Sequence, residues 1–211
     1  MATLSQNEDS NPRRSLWRAL GVLAVLMLAG CATTGTPTVA VTEREALGPD
    51  GYDWDPAAAP SGPVNVEVDL TNQMLYVYRE GIEIGRAKIS SGKPGHDTPT
   101  GTFTILEKKA SHRSSSWGSY VRGGQVIGDG RVNHTPAGAS FRGASMPYMM
   151  RLTWTGVAMH IGYVPDRPAS HGCIRLPSGF APRLFSVVRV GTPVRVYGHR
   201  RAEAVSTGSV I

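Results

Sequence analysis

The sequence predicts a mostly β domain with one or two short helices. Three observations carry this prediction. Apolar and polar residues alternate over several short runs, which is the period of a half-buried strand. Stretches rich in Gly, Pro, Ser and Thr separate these runs and are typical of loops. Apolar residues recur at helical spacing in a segment near the C-terminus, after Pro177.

The first predicted strands form an antiparallel meander. Val64 to Leu70 alternates valine or leucine with polar residues, and the aromatic and apolar run Met74 to Arg79 follows. Glu80-Gly81 predicts a turn before a third strand, Ile82 to Ile89. These three runs are close in sequence, so we expect each to pair with the next.

The middle of the chain is predicted to consist of loops and a single strand. Residues 90–101 are dense in Gly, Pro, Ser and Thr and predict a loop, and Thr102 to Leu106 predicts a strand. Residues 108–145 hold many Gly, Ser and Arg and few apolar residues, which favours a long surface excursion. Long loops of this kind often form lids or groove walls.

The last elements are two strands, a helix and a closing strand. Arg151–Trp154 and Val157–Ile161 are predicted to pair across a turn at Thr155-Gly156, with the Trp154 side chain in the core. Pro177 is suited to the first turn of a helix that is expected to extend to Val188. Val194–Tyr197 then closes the domain as a strand.

The N-terminal 30 residues have the pattern of a secretory signal. Arg13, Arg14 and Arg18 precede the apolar run Ala19 to Leu28, which is shorter than the roughly 20 residues that span a bilayer. Leu28-Ala29-Gly30-Cys31 is similar to a bacterial lipobox, and this predicts lipidation of Cys31 as the mature N-terminus. An uncleaved anchor, or ordinary secretion with a chance cysteine, is the alternative.

The rest of the chain fits one modest domain on a tether. Residues 31–62 are rich in Thr, Pro, Ala and Gly and predict a flexible tether, residues 63–199 the domain, and residues 200–211 a loose tail. A lipid on Cys31 would hold this domain in the periplasm, on the outer membrane if the cell is Gram-negative. The domain is expected to be monomeric.

The charge pattern argues against nucleic acid as a partner. The formal net charge is +6, and removal of residues 1–30 takes away three basic and two acidic residues and leaves +5. The basic residues are scattered rather than gathered into a stripe, so no nucleic-acid surface is predicted. Mild basicity fits an anionic envelope, although solubility alone explains it.

The two cysteines have different predicted fates. A lipidated Cys31 cannot form a disulfide, which leaves Cys173 as a free thiol; a Cys31–Cys173 disulfide requires the lipobox to be false. Cys173 lies in the segment Ser170-His171-Gly172-Cys173-Ile174-Arg175-Leu176, ten residues after His160. If this segment is extended, His171, Cys173 and Arg175 project to one face.

This arrangement predicts a cysteine acyl-transfer site. A nearby imidazolium, or the N-terminus of the following helix, lowers the pKa of a thiol and makes it nucleophilic. Gly172 lets the backbone approach a substrate and offers an N–H to a developing oxyanion. His160, His171 and Cys173 lack a fourth ligand at a recognisable spacing, so neither a metal nor another cofactor is predicted.

Three motifs together resemble the L,D-transpeptidase (YkuD-type) catalytic domain. They are Met159-His160-Ile161-Gly162, the Ser-His-Gly-Cys-x-Arg segment at 170–175, and the loop from Gly92 to Gly101 with its Pro-Thr-Gly end. Met146-Pro147-Tyr148 is also similar to the family. The resemblance covers roughly Val64 to Tyr197 and implies a β-sandwich or barrel-like catalytic domain.

The resemblance also implies an activity on peptidoglycan stem peptides. Cys173 would attack the carbonyl of the third stem residue and expel the terminal D-alanine, and an amine of a second stem would accept the acyl group. His160 would be the general base, oriented by the backbone carbonyl that follows it. His171 would support the site by hydrogen bonding, and the N–H groups of Gly172 and Cys173 would bind the oxyanion.

Arg175, Ser170 and Tyr148 are the predicted substrate-binding residues. Arg175 would order the motif or meet a substrate carboxylate. Two other functions stay open at this level: a peptidoglycan hydrolase with the same nucleophile, and a lipoprotein that binds peptidoglycan without catalysis. An intact Cys173, His160 and His171 set argues against the latter.

Overall fold

Two β-sheets that share one apolar core organise residues 46–199, the part of the 211-residue chain that the computed structural model describes. The first sheet has six strands, labelled here in chain order. Their spatial order is β1 (Tyr52–Trp54), β4 (Ile82–Lys88), β3 (Met74–Arg79), β2 (Val64–Asp69), β13 (Pro193–Tyr197) and β5 (Gly101–Thr104). The predicted meander of consecutive antiparallel strands is β2–β3–β4, and it is confirmed.

The second sheet carries the site. Its order is β12 (Ile174–Leu176), β11 (Ala158–Ile161), β10 (Met149–Arg151) and β6 (Glu107–Lys109). β10 and β11 pair antiparallel, as predicted, although β10 ends at Arg151, where the predicted strand began. β11 and β12 are parallel, with His160 opposite Arg175. Buried side chains of both sheets and of helix α1 (Ala181–Val187) form one apolar core, so the mostly β prediction is confirmed.

A third sheet lies within residues 108–145, where a surface excursion without strands was predicted. Its order is β8 (Gln125–Arg131), β7 (Arg113–Arg122) and β9 (Ser140–Ser145), and we call it the outer sheet. Tyr120, 8% exposed, is the only buried residue of the three strands, so they need few apolar side chains. Glycine lets two strands approach closely, since a Cβ at Gly118 would lie 2.2 Å from the Arg142 carbonyl oxygen. Composition alone therefore concealed the sheet.

The helix is shorter than predicted. Residues 177–180 form a turn, in which the Pro177 carbonyl accepts from the N–H groups of Phe180 and Ala181, and α1 begins only at Ala181. At its other end, Lys108 Nζ on β6 donates to the carbonyls of Phe185 and Val188, at 2.6 and 2.5 Å. A cation is favourable at a helix C-terminus, where carbonyls lack partners.

The tether prediction is wrong for the segment just before the domain. β1 pairs with β4, and its Tyr52 and Trp54 rings contact the ring of buried Phe180, with centroids 5.8 and 5.5 Å apart. Trp54 fits because Gly85 opposite it has no side chain. The surrounding Gly, Pro, Asp and Ala residues favoured a loop over this strand, although the aromatic pair was a usable signal.

Trp154 is also misassigned by the sequence. It lies in the turn between β10 and β11 and is 75% exposed rather than in the core. The predicted signal (1–30), the lipid site Cys31, the first part of the tether and the tail (200–211) lie outside the described residues. Within residues 46–199, no helix is long and apolar enough to cross a membrane.

Candidate active site

A groove of about 290 Å³ lies between the β10–β11 turn, the loop before β12 and the outer sheet. It brings together Cys173, His160, His171, Gly172, Ser170 and Arg175, which are all of the predicted site residues of the domain except Tyr148. The outer sheet supplies Ser114 to Trp117 and Arg131 to the same groove. The prediction that residues 108–145 form a groove wall is therefore correct in position.

Cys173 is held at the end of a bent loop immediately before β12. Gly172 has φ +111°, a conformation that favours glycine. The Ser170 hydroxyl donates to the Cys173 carbonyl and accepts from the Gly172 N–H at 3.1 Å. The segment is thus bent rather than extended up to Cys173, and becomes a strand only from Ile174.

Thr98 ties this loop to the rest of the domain. Its hydroxyl donates to the Gly172 carbonyl at 2.9 Å and accepts from the Gly92 N–H at 2.9 Å. A Cβ at Gly92 would lie 1.9 Å from the His96 carbonyl oxygen, so the Gly92–Thr98 turn requires glycine there. The Gly92–Gly101 loop therefore holds the cysteine loop in position through Thr98, a role that the sequence did not predict.

His160 is buried and oriented by backbone. Its side chain is on β11 and the residue is 8% exposed. Nδ1 lies 2.7 Å from the Ile161 carbonyl oxygen, the contact that the resemblance implied. A carbonyl only accepts, so Nδ1 carries the proton and Nε2 keeps a lone pair in the neutral ring. Burial lowers the pKa of His160 to about 4, so the imidazole is neutral at pH 7.

The thiol is protonated at rest rather than activated in advance. Burial raises the pKa of Cys173, and its Sγ donates to the Gly156 carbonyl at 3.5 Å. Burial also lowers the pKa of His171 to about 4, so neither histidine is an imidazolium at neutral pH. β12 separates Cys173 from α1, which removes the predicted effect of the helix N-terminus. The sequence favoured a lowered pKa for the Cys173 thiol, whereas burial raises it.

His171 contacts aromatic rings rather than hydrogen-bond partners. Its ring stacks on Trp117 of β7, with centroids 3.9 Å apart and 22° between planes. His96 meets both rings edge-on, at 4.8 and 5.3 Å. No hydrogen bond of the His171 ring to another residue occurs in the described range 46–199. The position of Trp117 in a segment poor in apolar residues was the sequence signal that could have placed it in the groove.

Two predicted substrate-binding residues have structural contacts instead. Tyr148 is absent from the groove lining, and its ring packs edge-on against Phe185 at 5.4 Å. Ser170 lines the groove but is 2% exposed, and its hydroxyl is engaged within its own loop. Their side chains are therefore occupied by the fold, which sequence position could not reveal.

The Gly172 N–H is also occupied, because it donates to Ser170 Oγ. The backbone N–H of Cys173 has no hydrogen-bond partner among residues 46–199. Of the two expected oxyanion donors, only Cys173 is therefore available in this conformation. A backbone N–H beside the nucleophile is a common oxyanion donor in acyl transfer.

Arg175 is next to the reacting groups. It lies opposite His160 in the β11–β12 pair, and its side chain passes over Gly162, where a Cβ would come within 2.8 Å of Arg175 Cγ. Glycine at 162 therefore makes room for the arginine. No group of three or more His, Cys, Asp or Glu residues suited to a metal ion occurs in the described part of the chain.

The groove combines a thiol, a buried neutral histidine and a backbone N–H that has no partner within residues 46–199, a set of groups that is suited to acyl transfer through a cysteine. The chain belongs to the family of L,D-transpeptidase catalytic domains, the YkuD family, whose model matches residues 63–196. The match begins where the domain was predicted to begin.

Known relatives agree with this assignment. L,D-transpeptidase 1 of Mycobacterium tuberculosis H37Rv is 30% identical over 131 residues, which are 58% of this chain and 45% of that protein. The chain thus spans about half the length of the curated relatives it matches. A solved L,D-transpeptidase from Mycobacterium smegmatis aligns with TM-score 0.53 and 25% identity over 65% of this chain and 60% of the other. One from Stackebrandtia nassauensis aligns with TM-score 0.50 and 23% identity over 67% and 58%, which supports the fold.

Proposed function

We propose that this protein is a peptidoglycan L,D-transpeptidase with Cys173 as its nucleophile. The observation that carries the proposal is the meeting of Cys173, the neutral His160 ring and the unpaired Cys173 N–H at one groove. The matched relatives bear the name L,D-transpeptidase. The acyl donor is a stem tetrapeptide, attacked at the carbonyl of its third residue.

The first half-reaction transfers the acyl group to the enzyme. The Cys173 sulfur forms a bond to the donor carbonyl carbon while the thiol proton passes to His160 Nε2. Burial lowers the pKa of His160 and raises that of Cys173, and both shifts disfavour a resting thiolate–imidazolium pair. The proton must therefore pass from the neutral thiol to the neutral imidazole during the attack. The C–N bond to D-alanine then breaks, and His160 returns the proton to the departing amine.

The second half-reaction passes the acyl group to an acceptor amine. The amine nitrogen attacks the thioester carbonyl, its proton passes to His160, and the C–S bond breaks as the thiolate recovers that proton. The Cys173 N–H supports the oxyanion in both halves, since it lies beside the sulfur and has no other partner in the described part of the chain. Water in place of the amine gives a shortened stem instead of a cross-link.

The cellular location belongs to the same proposal. A signal over residues 1–30 and a lipid on Cys31 would deliver the domain to the periplasmic face of a membrane. β1 begins at Tyr52 and packs on the domain, so a tether over residues 31–62 cannot include β1.

A mass-resolved digest tests the activity. The protein is incubated with disaccharide-tetrapeptide fragments beside its Cys173→Ala form. D-alanine release with cross-linked dimers, both lost in Cys173→Ala, is the expected result. Release with shortened monomers alone makes the protein a hydrolase. Absence of release in both forms contradicts the proposed activity.

A further inference from the structure

We propose that Arg131 of the outer sheet selects acyl donors that carry a carboxylate away from the bond that is cleaved. This inference rests on the proposed function and names the chemistry of its donor. Arg131 ends β8, far along the chain from the catalytic motifs, yet it lines the same groove as Cys173. Its guanidinium carbon lies 5.5 Å from the centre of the Trp117 ring.

The charges of the groove are unbalanced. Its lining within the described residues includes Arg131, Arg151 and Arg175 and contains neither Asp nor Glu. Arg151 is paired with Glu107, 2.9 Å away, a carboxylate that it shares with Lys109. Arg131 and Arg175 form no ion pair with a carboxylate in the described range. A cleft lined by one sign of charge attracts ligands of the opposite sign, so the groove is suited to an anionic donor.

The two unpaired arginines serve different parts of such a donor. Arg175 is held over Gly162 beside His160, at the reacting centre. Arg131 is on the opposite wall. His171 of the cysteine loop contacts the Trp117 ring, and the Trp117 ring contacts Arg131, so these contacts connect the cysteine loop to the outer sheet. A donor that occupies the groove therefore presents its distal groups to Arg131, while its scissile carbonyl lies at Cys173.

The geometry of Arg131 suits carboxylate recognition. The cation–π contact with Trp117 places the guanidinium over the ring without using its N–H groups on a protein carboxylate. A guanidinium presents a planar fork of donors that matches a carboxylate bidentately, whereas a carboxamide offers one acceptor oxygen and no charge. The side chain of the donor residue whose carbonyl is attacked is the group expected to supply this carboxylate.

A binding experiment separates this inference from the proposed catalysis. The full chain with Cys173→Ala is titrated calorimetrically with two tetrapeptides, one with a side-chain carboxylate on the third residue and the other with the matching carboxamide. The carboxylate peptide is expected to bind about tenfold more tightly, as for a charge-assisted hydrogen bond at a partly exposed site. This preference should shrink at high salt.

The variants decide which residue is responsible. Adding Arg131→Gln should reduce the ratio of the two dissociation constants to near one. Arg142→Gln removes the same charge from β9 of the same sheet, at a residue that does not line the groove, and should keep the ratio. Equal binding of both peptides without these substitutions, or a ratio retained in Arg131→Gln, overturns the inference. If the unsubstituted protein releases no D-alanine but the binding preference persists, the proposed function is contradicted and this inference is not.

Discussion

The imidazole of His160 is oriented by the carbonyl of Ile161, the residue that follows it, with 2.7 Å between Nδ1 and the oxygen. A neutral acceptor in this position fixes the ring without adding negative charge. Burial then controls the titration of His160 and lowers its pKa to about 4. The resting site thus holds a neutral thiol and a neutral imidazole, the starting state of the proposed mechanism.

Replacement of His160 by Gln should slow acylation by about 10² to 10⁴, the range typical of a lost general base. Stopped-flow measurement of acyl-enzyme formation checks this. Arg175→Gln is the comparison, because Arg175 pairs with His160 across β11 and β12 but carries no proton in the reaction. If acylation slows more in Arg175→Gln than in His160→Gln, the assignment of His160 as the general base is wrong.

The rate should retain its neutral-pH value well below pH 6. The reactive form has an unprotonated His160, and the lowered pKa keeps that form dominant until the pH approaches about 4. A pH profile of kcat/KM for a peptide donor should therefore show its acid limb near 4, with stability of the fold verified at each pH. An acid limb between 6 and 7 would mean that the histidine is not desolvated.

The same shift makes stability sensitive to acid. The unfolded His160 titrates near pH 6.5 and the folded one near 4, so between these values the unfolded state binds more protons and stability falls as the pH falls. Melting temperatures between pH 7 and pH 4.5 should decrease more in the unsubstituted protein than in His160→Gln. Parallel curves for the two forms would contradict the assignment.

Thr98→Val should lower kcat more than it lowers stability. The valine keeps the shape but loses the hydroxyl that joins the Gly92 N–H to the Gly172 carbonyl, so the cysteine loop becomes less fixed. We expect about a tenfold loss in kcat. Thr98→Ser retains the hydroxyl and should restore most of the rate; equal losses in the two variants would exclude the hydrogen bonds as the cause.

Lys108→Met should destabilise the fold by roughly 2 kcal/mol, because two carbonyls at the end of α1 lose their charged donor. Urea denaturation measures this. The neighbouring Lys109→Met is the control, since Lys109 is largely exposed and its ion pair with Glu107 contributes little. If both substitutions lower the free energy of unfolding equally, the hydrogen bonds of Lys108 to the end of α1 are not the cause.

The sequence predicted which residues gather at the candidate site but not the contacts that support them. Alternating valines identified β2, and the spacing of His160 and Cys173 brought the right side chains to one groove. The sequence did not predict the outer sheet, because its strands pair through the backbone of glycine and serine residues rather than through apolar faces. Activation by an imidazolium was also wrong, because desolvation depends on burial, which local sequence does not report.

Contacts between distant residues account for the remaining differences. The sequence predicted that the Ser170 hydroxyl binds substrate, but in the structure it is hydrogen-bonded to the Gly172 N–H and the Cys173 carbonyl. Trp117 and His171 are 54 positions apart and meet only because the outer sheet folds over the cysteine loop. Such pairings follow from topology, so they become visible only in three dimensions.

The intact mass of the protein after brief exposure to a tetrapeptide donor tests covalent catalysis most directly. The account predicts an increase equal to the donor without its terminal D-alanine, located on Cys173 by peptide mapping and absent from Cys173→Ala. A protein that releases D-alanine while Cys173→Ala does so equally well, or an adduct on another residue, would contradict the assignment of Cys173 as the nucleophile.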